Sequence, residues 1–235
     1  MPTGTRGTEY TLIRQKRKTV GIYIRPGRVE VRAPLHAAQA DIDAFVALKA
    51  PWIAAKLALA QERLAQNDAP VVGYGAMLPW RGAEYPLLGD GASDCIWRDE
   101  VGFHVPPGLE EGALKQTVIK LYRACAKDYL VPRTLYFARL MALCPNNIGV
   151  TNAKGRWGSC GRKPAKGTAG TTYSIHFSWR LMSAEDDVID AVIVHELAHM
   201  REMNHSAAFY AIVRDVLPNY DVRRRKLQAH KPWLL

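Results

Sequence analysis

The sequence predicts an α+β fold in two parts: a β-rich N-terminal domain over residues 1–110, with a helical segment near 39–66, and an α+β domain over residues 111–235. Three observations predict it. Near the N-terminus apolar and polar residues alternate in short stretches, the period of half-buried strands. From Val71 to Pro107, Gly and Pro recur among short apolar pieces, which suits turns and strands better than helix. From Leu114 onward the apolar spacing shifts to the 3.6-residue period of helices. A compact chain of 26.2 kDa hides roughly 70–75% of the surface its unfolded form exposes, enough for one well-built core and a smaller satellite.

Taken in order, YTLIR, VGIYIR and RVEVRA between Tyr10 and Ala33 read as a small antiparallel meander, with Pro26-Gly27 as a turn. After Pro34 a helical stretch rich in Ala and Leu runs from about Gln39 to Gln66. Asp41 and Asp43 lie near its start, where the helix dipole favours negative charge. Pro51 lacks an amide hydrogen, so it predicts a kink or two helices meeting at that point. A second group of strands follows, then a helix from Leu114 to Leu143, broken by Pro132 and ended by Cys144-Pro145. The remainder reads as a strand (Asn147 to Thr151), a Gly-rich basic loop, a strand (Thr172 to Trp179) and two helices.

Composition narrows the function classes. With 48% hydrophobic and 23% charged residues the chain is not disordered. No run approaches the ~18 apolar residues of a membrane span, and MPTGTRGTEYTLIRQKRK has no apolar signal region, so no membrane partner is expected. Cys95, Cys125, Cys144 and Cys160 form neither a CxxC pair nor a dense framework, which predicts reduced thiols and a cytoplasmic location. The net charge of +10 is clustered in residues 1–32, between Lys154 and Lys166, and in the run Arg223 to Lys226; the last is read as a solvated face.

The chemistry is concentrated in HELAHMREMNH, His195 to His205. Ser183 with Asp186 three positions later resembles a capping box, so a helix is expected to start there. Residues four apart on a helix share a face, so His195 and His199 can present two imidazoles to one zinc ion. Glu196 lies about 100° further round, within reach of a water on that ion without being a ligand. His205 supplies the third imidazole, with Met203 and Asn204 where the helix must end and Asn204 suited to a left-handed turn. Three imidazoles and an open fourth position are the recipe of a catalytic zinc site, in which the bound water has a pKa near 7 and Glu196 takes its proton. Val188, Ile189, Val192, Ile193 and Val194 would bury the first half of the helix and carry Glu196 into apolar surroundings.

The spacing matches a long metalloprotease motif except that Glu202 stands where that motif has Gly. KGRWGSCGRK (Lys154 to Lys163), a strand, VIDAVIVHELAHMREMNHSAAFY, then Pro218 and Tyr220, resemble the YgjP-like metal-dependent hydrolases, a zincin family related to the SprT-like metallopeptidases. The resemblance extends to RKTVGIYIRPGRVEVRAP and the helix containing Trp52. It implies a zincin-like second domain, a zinc site of His195, His199 and His205, and a catalytic Glu196. It also implies a metallopeptidase, or alternatively a nucleoside triphosphate pyrophosphatase acting on UTP.

Other residues are candidates for the cleft. Arg156, Trp157, Ser159 and Cys160 would border it, with Arg156 or Lys154 receiving an anion; Trp157 as a packing anchor and Gly158 as a turn is the plainer alternative. Cys160 as a fourth ligand would close the site. The strand Tyr173 to Trp179 would offer an edge to a peptide, with Tyr173 or His176 near an oxyanion. Arg162 and Lys163 could neutralise a triphosphate. His36, His104 and His230 carry no partner pattern. A third reading, a DNA-associated protease or nucleic-acid-binding module, finds no helix-turn-helix, RNP-type or zinc-knuckle motif in its support.

Overall fold

A computed structural model describes residues 8–25, 28–65, 72–90, 95–165 and 170–230. The turn at Pro26-Gly27, Gln66 and Lys166 lie outside them. The fold is mixed α and β, with six helices and three small sheets among the described residues. It divides into two compact units, residues 1–69 and 70–235.

In the first unit, β1 (Thr11–Gln15), β2 (Gly21–Arg25) and β3 (Arg28–Pro34) form a sheet in the order β1-β3-β2. It is not the antiparallel meander the alternation suggested: β1 runs parallel to β3, and only β2 is antiparallel to it. The centre goes to β3 because Val29, Val31 and Ala33 are its buried residues on one face and Glu30, bonded to Arg32, is buried on the other. Helices α1 (Gln39–Leu48) and α2 (Ala50–Ala65) meet at Lys49, one of the two outcomes expected at Pro51. Pro51 falls in the first turn of α2, where its missing N–H would have no intrahelical partner anyway. Ile42, Val46 and Ile53 close this core over the sheet, and the Tyr10 hydroxyl donates to Asp43.

The second unit starts forty residues before the expected division near 110. The reason is burial. Strands β4 (Met77–Trp80), β5 (Ala83–Leu88), β6 (Trp97–Arg98) and β7 (Phe103–His104) form a sheet whose Leu78, Trp80, Leu87 and Phe103 share one core with the helices that follow. Helix α3 (Glu111–Leu140) passes through Pro132 without the expected break. Pro132 is exposed, so the carbonyl that loses its partner can be hydrated, while Tyr122, Ala126 and Leu130 before it and Thr134, Phe137 and Ala138 after it are buried.

The third sheet positions the site. Its strands are β8 (Asn147–Thr151), β9 (Gly158–Pro164) and β10 (Thr171–Ser178), in the order β8-β10-β9. The basic segment read as a loop is thus largely a strand, because WGSC and the residues after it pair antiparallel with β10 from Gly158↔Phe177 to Pro164↔Thr171. This also removes β10 as a free edge: β8 lies parallel on its other side. A 3-10 turn (Trp179–Ser183) leads into α4 (Asp186–Ala198), followed by α5 (Ala207–Val216) and α6 (Tyr220–Ala229). The capping box does not form, since Glu185 is the N-cap and Ser183 donates instead to the Arg180 carbonyl at 2.8 Å. Helix α4 starts under the favourable charge of Asp186 and Asp187.

Candidate metal centre

Helix α4 is buried almost all round. Val188, Ile189, Val192, Ile193, Val194 and Leu197 are at most 4% exposed, as the apolar run before the motif predicted. The helix ends at Ala198, earlier than Met203, with His199 as its C-cap. Asn204 is not left-handed; the turn closes because the Glu202 carboxylate accepts the Asn204 N–H at 3.1 Å, a job the Glu does in place of a glycine. Ser206 then caps α5 by accepting the Phe209 N–H at 3.2 Å. Between these two helices His205 turns back toward α4.

The result is one group of convergent donors. Ligand atoms of His195, His199 and His205 all lie within 4.8 Å of one another, and they are the only such group among the described residues. His205 Nε2 and His195 Nε2 are 3.0 Å apart, close to the roughly 3.3 Å that two nitrogens have when both bind one tetrahedral zinc at 2.0–2.1 Å. Each of the α4 rings is oriented from behind: His195 Nδ1 meets the Tyr220 hydroxyl at 2.9 Å, and His199 Nδ1 meets the Glu202 carbonyl at 3.1 Å. The Phe209 ring, fully buried, lies 4.6–4.9 Å from all three imidazoles and forms the floor. Burial and the neighbouring imidazoles push His195 down to about 4, and burial lowers His199 too, so both are neutral at pH 7. Neutral imidazoles with their rear nitrogens occupied fit a divalent ion.

Glu196 is 7% exposed and has no ion pair among the described residues. Burial pushes its carboxyl up to about 7, against the pull of the Arg156 charge and of the Cys160 N–H, which donates to it. A Cβ on Gly158 would sit 2.6 Å from Glu196 Cγ, so only glycine lets β9 run this close to the acid. The WGSC text therefore acts as a wall of the site rather than as a turn.

Paired residues of antiparallel strands share a face, which sorts the remaining candidates. Gly158, Cys160 and Arg162 pair with Phe177, Ile175 and Tyr173, on the core face toward Glu196. Ser159 pairs with His176 on the other face. His176 is not brought to the triad: its ring lies against Gly149, with Asn147 at 3.4 Å. Tyr173 is on the right face but further along β10, and its N–H is bound by Asn146 at 2.8 Å. Trp157 packs against the core and 5.5 Å from the ring of His230. Arg156 and Lys154 are exposed, and only Arg156 is near enough to act on Glu196. Cys160 is outside the metal group, and burial beside Glu196 raises its thiol to about 11, so it stays protonated.

Two other histidines have partners that the sequence did not reveal. His230 bonds Ser183 at 2.9 Å, and His104 sits between Asp90 (2.8 Å) and Asp99 (3.0 Å) under the Trp97 ring. Half of the run expected to be solvated is engaged: Arg223 bonds Asn219 and the Asp187 carbonyl, and Lys226 bonds Glu185 and Asp187, while Arg224 and Arg225 are exposed. Tyr220 and Phe209 lie in the stretch that carries the family resemblance, but their contacts with the imidazoles were not legible, since one stands twenty-five residues from its histidine and the other reads as ordinary core.

No helix among the described residues is long and apolar enough to cross a membrane. Neither a curated protein nor a solved structure matches the chain. One family model does, described as YgjP-like, metallopeptidase domain, and it covers residues 18–230, from just before β2 through α6. With nearly its whole length matched, the chain belongs to the YgjP-like family and is a metal-dependent hydrolase.

Proposed function

We propose that this chain is a zinc-dependent peptidase, with His195, His199 and His205 holding the metal and Glu196 serving as general base. The observation that carries the reading is a buried carboxylate without an ion pair, set between three convergent imidazoles and strand β9. A divalent ion bound there supplies Lewis acidity and lowers the pKa of water. Glu196 accepts the proton of the attacking water and returns it to the leaving amine. Its raised pKa suits both halves of that transfer near neutral pH. The Cys160 N–H holds the carboxylate in place, and Tyr220 keeps the His195 ring oriented.

A peptide is favoured as substrate because, among the described residues, β9 pairs on one side only, with β10. Cys160 directs its N–H to Glu196, away from β10, and antiparallel alternation turns the main-chain groups of Gly158 and Arg162 the same way. Pro164, which has no N–H, occupies another outward position at no cost. An extended peptide adding to this edge would pass Glu196. The second reading, hydrolysis of a nucleoside triphosphate such as UTP, draws on Arg156 beside the base.

Incubating the zinc-loaded protein with unfolded peptides and with nucleoside triphosphates, side by side, separates the two. New peptide termini are expected; release of pyrophosphate or phosphate instead would assign the second reading. Duplex binding that weakens steeply with salt would bring back a DNA-associated role, and none is expected.

A further inference from the structure

Of the four cations on α6, Arg224 and Arg225 make no side-chain hydrogen bond or ion pair among the described residues, and of these two Arg224 is stacked on an aromatic ring. Arg223 and Lys226 are bonded to the start of α4 and its approach, and Arg214 of α5 is bonded to Asp221 at 2.9 and 3.2 Å. Arg224 is exposed and meets no carboxylate at ion-pair distance among the described residues. It stands one helical turn after Tyr220, on the same face, and Tyr220 is the residue bonded to His195. Its guanidinium rests 5.4 Å over the ring of Tyr210, whose ring centre is in turn 6.3 Å from those of His205 and Tyr220.

That placement has a cost. A cation beside a three-histidine site repels the divalent ion the site is built to hold, and the carboxylate that offsets it, the exposed Asp221, is itself hydrogen-bonded to Arg214. The arrangement is favourable when a bound substrate brings a negative charge. An arginine stacked on an aromatic ring keeps its in-plane donors free for a planar, bidentate acceptor, which a carboxylate provides. A triphosphate would need more converging cations than Arg156 and Arg224.

We propose that Arg224, seated on Tyr210 at the mouth of the histidine triad, is a specificity residue that receives a carboxylate of the peptide substrate close to the scissile bond. This rests on the peptidase reading above. The carboxylate has two sources, an acidic side chain or the C-terminus of a short peptide.

The test compares wild type, Arg224→Gln and Arg224→Lys as zinc-loaded full-length proteins. The substrates are matched peptides carrying Glu, Gln or Lys on either side of the cleaved bond, with free or amidated C-termini. Arg224→Gln is expected to lower kcat/KM for the carboxylate-bearing peptides by about 10–100-fold and to leave the neutral ones within about twofold, with partial recovery in Arg224→Lys. Loss confined to free C-termini identifies the terminal carboxylate; loss confined to Glu peptides identifies the side chain. Independently of turnover, Arg224→Gln should bind zinc a few-fold more tightly in a chelator competition, because a like charge is gone. If neutral and acidic peptides are cleaved alike and the variant changes neither, the assignment of Arg224 is overturned while the peptidase reading stands. If wild type cleaves no peptide of the set and Arg224→Gln loses nucleoside triphosphate turnover, both are overturned.

Discussion

The two ends of α4 treat charge in opposite ways. At its start Asp186 is clamped by Arg81 at 2.6 and 2.5 Å, Asp187 by Lys226 at 3.0 Å, and Asp190 by Arg133 through two bonds of 2.7 Å. At its end Glu196 is as buried as Asp190, both 7% exposed, yet no cation among the described residues is bonded to it. The partners of the first set hold the helix to α3, to α6 and to the loop after β4. The second carboxylate is left with burial unopposed by an ion pair, which raises its proton affinity toward neutrality. A buried charge used for structure is paired, and the one we propose for proton transfer is kept unpaired at a cost in stability.

The largest expected effect breaks the contrast at the functional end. Glu196→Gln should lower turnover by on the order of 10²–10⁴-fold with zinc content unchanged, as measured by steady-state rates and metal analysis. Undiminished turnover would mean that another group is the base.

The same substitution should stabilise the metal-free protein. The folded-state pKa of Glu196, about 7, lies above its ordinary 4.5, so the folded form prefers the protonated acid. Its contribution is full below pH 4.5 and is lost as the pH rises through about 7. Chelator-treated Glu196→Gln is therefore expected to exceed wild type by about 2–3 kcal/mol at pH 8, with the difference vanishing near pH 4 in urea titrations. His195 has the opposite sign: depressed to about 4, it contributes above pH 6.5 and loses that as the pH falls through about 4. It is common to both proteins and cancels in the comparison.

At the structural end the sign reverses. Asp190→Ala leaves Arg133 without its partner and should destabilise the protein by about 1–3 kcal/mol at neutral pH, in the lower part of the range for buried pairs because the Arg133 side chain is 37% exposed. A rise in stability, as in Glu196→Gln, would erase the distinction between the two ends. The smallest effect sharpens it. Tyr220→Phe removes one bond behind His195 and should weaken zinc affinity by about tenfold, read by chelator competition, while stability of the metal-free protein changes little.

What could be read without the structure was local. The His-x-x-x-His face, the acid beside it, the third histidine and the apolar run around them were read from spacing along the helix and its end, and the family resemblance implied the same residues. The meeting of two helices at Pro51 is equally local. Failures came where distant residues decide. Periodicity alone could not tell that β1 pairs with β3, that WGSC is a strand, or that Pro132 would be carried through by packing on both sides. Asp190 and Glu196 look equivalent in one dimension, two acids on an apolar helix.

The sequence by itself determined the helix, the convergent histidines, the neighbouring acid and the family, because all of these depend on spacing within a few turns of chain. Only the tertiary structure decided which acid is paired, which strand edge faces Glu196, and which of four clustered cations on α6 is stacked on Tyr210. Those outcomes depend on which elements pack against α4, and ion pairing acts between side chains that chain order leaves thirty to a hundred residues apart.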